Sequence, residues 1–576
     1  MTAPAGPFFP GAGRQFAALA LDYWNDGHRW QVRGAVLLLI LLTVGQVLLA
    51  IWISYWHRDL FDALEARALG KLLHLILIFA LIFALTMAVT ALHLHVKRWL
   101  QLDWRRWMTE LLLDHWMARS HHYKLQFMAG EHDNPDGRIA EDIRIATEVA
   151  IALAHTLLFS LLILGSFVDI LLTVSGSATL PGTGLAVPGY MVLAAFLYAG
   201  SGAALGLSLG RSLIRTTNRL QTVEANLRFG LARARQHSEA IALLHGEDFE
   251  RRGADRLFAD VGRGWNRQTL AYLGIVSFST GYGTLLPVFP ILIAAPQYMA
   301  GAMSLGILMQ AAQAFQRLTS ALSWPVDNLG ELARCRASMD RIVSLYHDMQ
   351  ALEREEQAPS AALRRIHIRH ARQPLLEFRQ LALQTPAGQL LLAPLDLQVH
   401  HGERLLITGE PTVTEALFKA VAGLWPWGSG EIRLPEEAGI MFLPQRPFLP
   451  EDSLRNTLCY PHEPGHYGDA ALHRALECAG LAWLAPRLDE TENWGRAMPL
   501  RTQQRLGLAR VFLQRPDWVF IEEATDAFDP KDEVCTLEML HHELPDTTLL
   551  HISRHDSLFP LHGRRLELRR PKAAQA

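Results

Sequence analysis

Six apolar stretches in the first 325 residues constrain this chain more than any other feature. They cover residues 34–54, 72–96, 149–173, 186–209, 269–295 and 300–322. A helix of about 20 residues crosses the hydrocarbon core of a bilayer, so each is long enough to span it. The first reads GAVLLLILLTVGQVLLAIWIS without a single charge. The sixth is the most polar, and Gln310, Gln313 and Gln316 point to a helix facing protein or a cavity. The first 30 residues lack the apolar core of a cleaved signal peptide. The expectation is therefore a helical membrane domain of six spans, with lipid as a partner.

Charge in the short links sets the orientation. Segment 97–119 carries Lys97, Arg98, Arg105, Arg106 and Arg119, and segment 210–235 carries six further arginines. The link 174–185, SGSATLPGTGLA, has none. Positively charged links stay on the cytoplasmic side, which places 97–148, 210–268 and both termini there. Both cytoplasmic links repeat apolar residues at helical spacing, so the membrane helices are expected to run on into the cytoplasm. Asn134-Pro135-Asp136-Gly137 reads as a turn, with Asp133 able to cap beside it. Pro287 and Pro290 are expected to kink or break the fifth span.

Ionisable groups in hydrocarbon are costly and tend to face a bundle interior or a water path. His74, His93, His95, Glu148, His155 and Asp169 fall within or at the edge of spans. Asp169 is the most anomalous: it is either a proton or substrate group or an interfacial residue one turn outside the span. His155 is either a neutral-pH switch or a hydrogen-bonded structural histidine. Glu224 and Glu239 are further relay candidates, or else simple partners of Arg228 and Arg235.

The remainder differs in kind. After a polar linker around EEQAPS (355–360), residues 370–570 alternate apolar strands with helices, which implies a largely parallel sheet covered on both faces. ERLLITG, GIMFLPQ, WVFIEE and TTLLHIS read as its core strands, with two antiparallel strands before them. The layout is thus an N-terminal cytoplasmic segment (1–30), a membrane domain with helical extensions (31–350), a linker (351–369), an α/β domain (370–570) and a frayed tail (571–576). A net charge of −3 excludes bulk nucleic-acid binding. The four cysteines have neither disulfide nor metal spacing, and no metal is expected.

A strand, a glycine and a helix are the setting of a phosphate-binding loop. Here the sequence is Gly409-Glu410-Pro411-Thr412-Val413-Thr414-Glu415, and Gly409 alone fits. Pro411 offers no amide, Val413 and Thr414 resist positive φ, and two glutamates would face a triphosphate.

With these residues in view, the chain resembles an ATP-binding cassette transporter with fused permease and cassette. More narrowly, it resembles the bacterial SbmA/BacA-like peptide and cobalamin transporters that carry a cassette. The resemblance rests on EHDNPDGRIAEDIR (131–144), EANLRFGLARARQHSEAIALLHGE (224–247), APQYMAGAMSLGILMQAAQAF (295–315), FLPQRPFLPEDSLRNTLCYP (442–461) and the run QQRLGLARVFLQRPDWVFIEEATDAFD (503–529). It implies an exporter-type membrane fold, an inner-membrane location and a homodimer, with a heterodimer left open.

The resemblance also assigns positions. Thr414 falls at the phosphate-loop lysine and Glu415 at the magnesium-holding hydroxyl. Gln445 matches the glutamine that couples nucleotide to membrane domain, Glu523 the general base and His555 the switch histidine. Glu522 replaces the aspartate that organises magnesium, and Asp529 matches the aspartate of the inter-cassette loop. In the signature segment, Pro499 stands at the serine and Arg501 at the glycine. Each composite site of such a dimer uses one chain's loop and the other's signature, so a chain defective in both impairs both sites. ATP and magnesium are therefore doubtful cofactors. The expected function is uptake of peptides or cobalamin-like compounds, with weak or absent hydrolysis and proton coupling as the other drive. A slow ATP-driven transporter and a non-transporting sensor are the alternatives.

Overall fold

The computed structural model describes residues 16, 19, 21–24, 29–127, 134–175, 177–179, 186–357, 365–436 and 438–571. Asp133, most of the N-terminal segment, part of the 174–185 link, linker residues 358–364 and the tail beyond Pro571 lie outside them. The chain divides into two compact units. One holds residues 1–116 and 132–348, the other residues 117–131 and 349–576.

Among the described residues, the first unit is built of helices apart from a two-strand pairing of Ser177–Thr179 with Ala186–Pro188. Its long helices are α1 (Arg29–Glu65), α2 (Leu69–Met117), α3 (Ile143–Ser175), α4 (Tyr190–Gln236), α5 (Glu247–Met299) and α6 (Leu305–Asp327). Among the described residues, five helices are long and apolar enough to cross a membrane; they correspond to α1 to α5. The sixth predicted span forms α6, whose Ala311, Ala314, Phe315 and Leu318 are fully enclosed in the bundle core. Gln310 is buried there too, so its amide faces protein, as its position suggests.

Close approach fixes the start of α6. A Cβ on Gly306 would lie 2.2 Å from the Arg58 carbonyl of α1, so glycine is required there. The bare amides of that first turn are taken up by α1 carboxylates, Leu305 N–H to Glu65 at 3.0 Å and Gly306 N–H to Asp62 at 2.9 Å. Negative charge at a helix N-terminus also suits the helix dipole.

Two expectations need correcting. Pro287 and Pro290 do not break the fifth span: α5 runs unbroken from Glu247 to Met299. Pro290 is buried, and bundle contacts hold a helix together where a proline removes one N–H. Pro135–Gly137 is not a turn but the first helical residues, leading through a π-helical turn (Arg138–Asp142) into α3. Proline is favoured at that position, where its missing N–H has no partner to lose. After α6, α7 (Leu329–Gln357) continues the helical stretch as far as the EEQAPS segment. At the head of α3, buried Asp142 ties in α7 through Ser338 (2.9 Å) and Arg341 (2.7 Å).

In the second unit, β1 (His367–Ala371), β2 (Leu375–Gln384), β3 (Leu390–His400) and β5 (Gly428–Pro435) form a four-stranded sheet in the order β1-β5-β2-β3. β2 pairs antiparallel with both β3 and β5, as the early strands led one to expect. The core sheet is wholly parallel, ordered β9-β4-β8-β7-β6, and built from β4 (Arg404–Gly409), β6 (Ile440–Leu443), β7 (Trp518–Glu522), β8 (Thr548–Ile552) and β9 (Arg564–Leu568). α8 (Pro411–Val421), α9 (Leu500–Gln514) and α10 (Pro530–Glu543) accompany it. Residues such as Val519, Ile521 and Leu549 in one cluster, and Phe520 and Leu550 in the other, show why these strands read as continuous apolar runs: both faces are covered.

Candidate functional site

The C-terminal ends of β4, β7 and β8 bring most of the predicted cassette residues together. Open parallel sheets bind ligands at this end of their strands.

The connection after β4 is the decisive local feature. β4 ends at Gly409, Glu410 is the cap residue and α8 starts at Pro411. A single residue therefore stands between strand and helix, where a phosphate cradle needs a loop of several free amides. Thr414, at the expected lysine position, is buried and turns inward, donating to the Pro411 carbonyl at 3.1 Å. Glu415, at the expected magnesium hydroxyl, instead pairs with Lys419 at 2.6 Å. The sequence dictates this outcome, because Pro411 nucleates a helix and Val413 packs into the core with no exposed surface.

Glu523 follows β7 in a left-handed conformation (φ 46°) that places its carboxylate at the sheet end. Arg554 grips it with two bonds, Nε to Oε1 at 2.5 Å and Nη2 to Oε2 at 3.0 Å. Gln445 makes a long third contact at 3.4 Å. The oxygens a general base would turn toward water are thus engaged by a guanidinium. Desolvation, aided by Glu415, pushes the Glu522 carboxyl up to about 7. Asp526 is pushed up to about 6, by burial first and then by Glu523.

His555 does not face Glu523. Its Nδ1 lies 2.9 Å from Oε2 of the fully buried Glu533, whose other oxygen accepts from the Thr525 hydroxyl at 2.6 Å. That bond to Glu533 raises the His555 pKa above the ordinary imidazole value.

The signature segment is also occupied from within. Pro499 caps α9 with its carbonyl alone, since it has no hydroxyl to offer. Arg501 pairs with Asp532, and with Asp529 at 3.4 Å, while Arg505 reaches Asp532 at 3.1 Å. Asp529 is thereby drawn toward its own chain's α9. ATP with magnesium does not fit these residues: the loop, the lysine and the free base are all missing.

Two organising residues escaped the sequence reading. Gln504 is fully buried and donates to the carbonyls of Gln445 (3.0 Å) and Glu523 (3.3 Å), while its own oxygen accepts from the Ala527 amide (3.1 Å). The paired Gln503-Gln504 at the start of an apolar helix was the available signal. Arg554 was masked by its more conspicuous neighbour His555.

The described residues 117–127 belong to this unit and dock on it. The Phe127 ring meets Trp427 edge-on at 4.9 Å, and Tyr123 lies beside Lys419 on α8. The segment leaving the second membrane helix therefore touches the helix that replaces the phosphate loop.

In the membrane unit, the relay candidates do not form one site. Asp169 is exposed on α3 and lies 14 residues, about 21 Å, beyond His155 on the same helix. Glu224 and Glu239 are exposed on the α4–α5 hairpin, where an ion pair instead joins Arg233 to Glu250 at 3.9 Å. His155 meets His93 of α2, ring to ring at 4.1 Å. Both nitrogens of His155, and Nε2 of His93, are buried without a hydrogen-bond partner. His93 was noted in the sequence, but its pairing across two helices could not be read there.

A helical membrane bundle fused in one chain to a parallel-sheet α/β domain defines a class of protein, a membrane transporter that carries its cassette in the same chain. Residues 26–287 match the family described as ABC transporter transmembrane region 2. An uncharacterised ABC transporter ATP-binding protein of Synechocystis is 30% identical over 551 residues, 94% of this chain and 80% of its own length. The inner membrane ABC transporter ATP-binding protein YddA of Escherichia coli is 27% identical, covering 91% of this chain and 92% of its own. The mouse lysosomal cobalamin transporter ABCD4 is 24% identical over 75% of each chain. The chain belongs to the ABC transporter family.

Proposed function

We propose that this protein is an inner-membrane ABC-type half-transporter whose cassette serves as a dimerisation and coupling scaffold and hydrolyses ATP weakly or not at all. One observation carries this reading: Glu410 alone separates β4 from α8, so no backbone cradle surrounds a triphosphate. In this reading α6 is the sixth crossing and both termini are cytoplasmic. The functional unit is a homodimer. Its support is the tip of the α4–α5 hairpin, where Leu243 and Leu244 are 76% and 82% exposed, an apolar surface suited to a second copy.

The cargo is a peptide or a corrinoid, and the direction is uptake, as in the SbmA/BacA-like transporters. The printed name of the mouse relative, a cobalamin transporter, supports the corrinoid class. Without hydrolysis the drive is the proton gradient, and the His93–His155 pair is the group best placed inside the bundle to carry a proton. The test is uptake of labelled cobalamin and of a labelled peptide into proteoliposomes, with and without an imposed pH gradient and with and without Mg-ATP. Gradient-dependent, ATP-independent uptake supports the reading. ATP-dependent uptake would replace it with a slow ATP-driven transporter, and no uptake under any condition would point to a sensor.

A further inference from the structure

Beside the missing cradle, the ends of β4 and β9 border a cleft of about 600 Å³. Gly409 is its floor; a Cβ there would lie 2.3 Å from the Leu568 carbonyl, so the two strand ends are in close register. The lining carries four guanidiniums, from Arg554, Arg565, Arg569 and Arg570, against two carboxylates, from Glu410 and Glu567. None of these groups was assigned a role by the sequence.

Arg554 is committed to Glu523, but the partners of the other three are weak. Arg569 holds Glu567 at 2.9 Å while 80% exposed, and Arg570 reaches Glu410 only at 3.9 Å. Arg565 donates to the Thr408 hydroxyl at 3.3 Å. Exposed ion pairs of this kind contribute little and are readily exchanged for a ligand of higher charge. The guanidinium fork matches phosphate oxygens two at a time and does not need deep burial to do so. A cleft of this volume holds a triphosphate with room for a nucleoside.

We propose that this cleft binds a polyphosphate chain, free or as part of a nucleotide, through arginine side chains instead of backbone amides. Bound there, the phosphates sit on the β4–β9 side of the sheet end, while Arg554 keeps Glu523 engaged; the ligand is held and not hydrolysed. The inference rests on the reading above only in taking the ordinary loop as absent. Its failure would leave the transport reading standing, because uptake into proteoliposomes is measured independently.

The test is calorimetric titration of the full chain in nanodiscs, at constant ionic strength and without magnesium. The probes are sodium tripolyphosphate, ATP and adenosine. The expected result is saturable binding of tripolyphosphate and ATP at or below about 1 mM, no binding of adenosine, and about tenfold weaker binding in the R565Q/R569Q/R570Q variant, a loss fitting two or three charge-assisted contacts. R569Q changes one exposed side chain and should alone weaken binding about threefold, so the question stays open to test if the triple variant misfolds. R474Q removes an equal charge elsewhere on the cassette and should leave affinity unchanged. Absence of tripolyphosphate binding, unchanged affinity in R569Q and the triple variant, or an equal loss in R474Q would overturn the proposal.

Discussion

Several side chains of the cassette carry pH dependence that follows from their surroundings. His555 is raised by its bond to buried Glu533. A raised folded-state pKa stabilises fully below the unfolded value, about 6.5, and that contribution fades as pH climbs through the folded value. H555A should therefore lower the apparent Tm of the cassette more at pH 6 than at pH 9, as read by differential scanning fluorimetry. Glu522 behaves oppositely in consequence. Its carboxyl holds a proton up to about 7, so ionising it costs the folded state as pH rises from roughly 4.5 through 7. E522Q should raise apparent stability by about 1–3 kcal/mol at pH 8 and change little at pH 5. Gln504 is a residue of another kind, structural and indifferent to pH. Q504A would strand two carbonyls and the Ala527 amide in a closed site and should cost about 2–4 kcal/mol, measured by chemical denaturation at a single pH.

At the scale of elements, two junctions define the chain. One is the β4–α8 connection, and much of it was legible: Pro411, Val413 and two glutamates already argued against a phosphate cradle. What the sequence could not supply was the inward turn of Thr414 or the grip of Arg554 on Glu523, because both depend on how β4, β7 and β8 end side by side. Five of the spans were legible from run length alone, but the continuity of α5 through three prolines was not, since neighbouring helices decide it. The pairing of His93 with His155 likewise exists only once α2 and α3 pack. The second junction is the docking of residues 117–127. A double-mutant cycle of F127A and W427A should give a coupling of about 0.5–1.5 kcal/mol in cassette stability, the range for an edge-on aromatic pair. A coupling near zero would mean that the two rings do not support each other.

For the whole molecule, the chain carries the membrane domain and the α/β domain of the ABC transporter family, and the proposed loss of ATP turnover rests on side chains paired within the chain. Arg501 holds Asp529 and Asp532, Lys419 holds Glu415, and Arg554 holds Glu523. Two copies would not repair one another, because loop and signature are altered in the same chain. The most direct test is steady-state Mg-ATP turnover by the purified protein reconstituted in lipid, compared with its E523Q variant. The account predicts equal, background-level phosphate release from both. Turnover above background that disappears in E523Q would show a working base at Glu523 and contradict it.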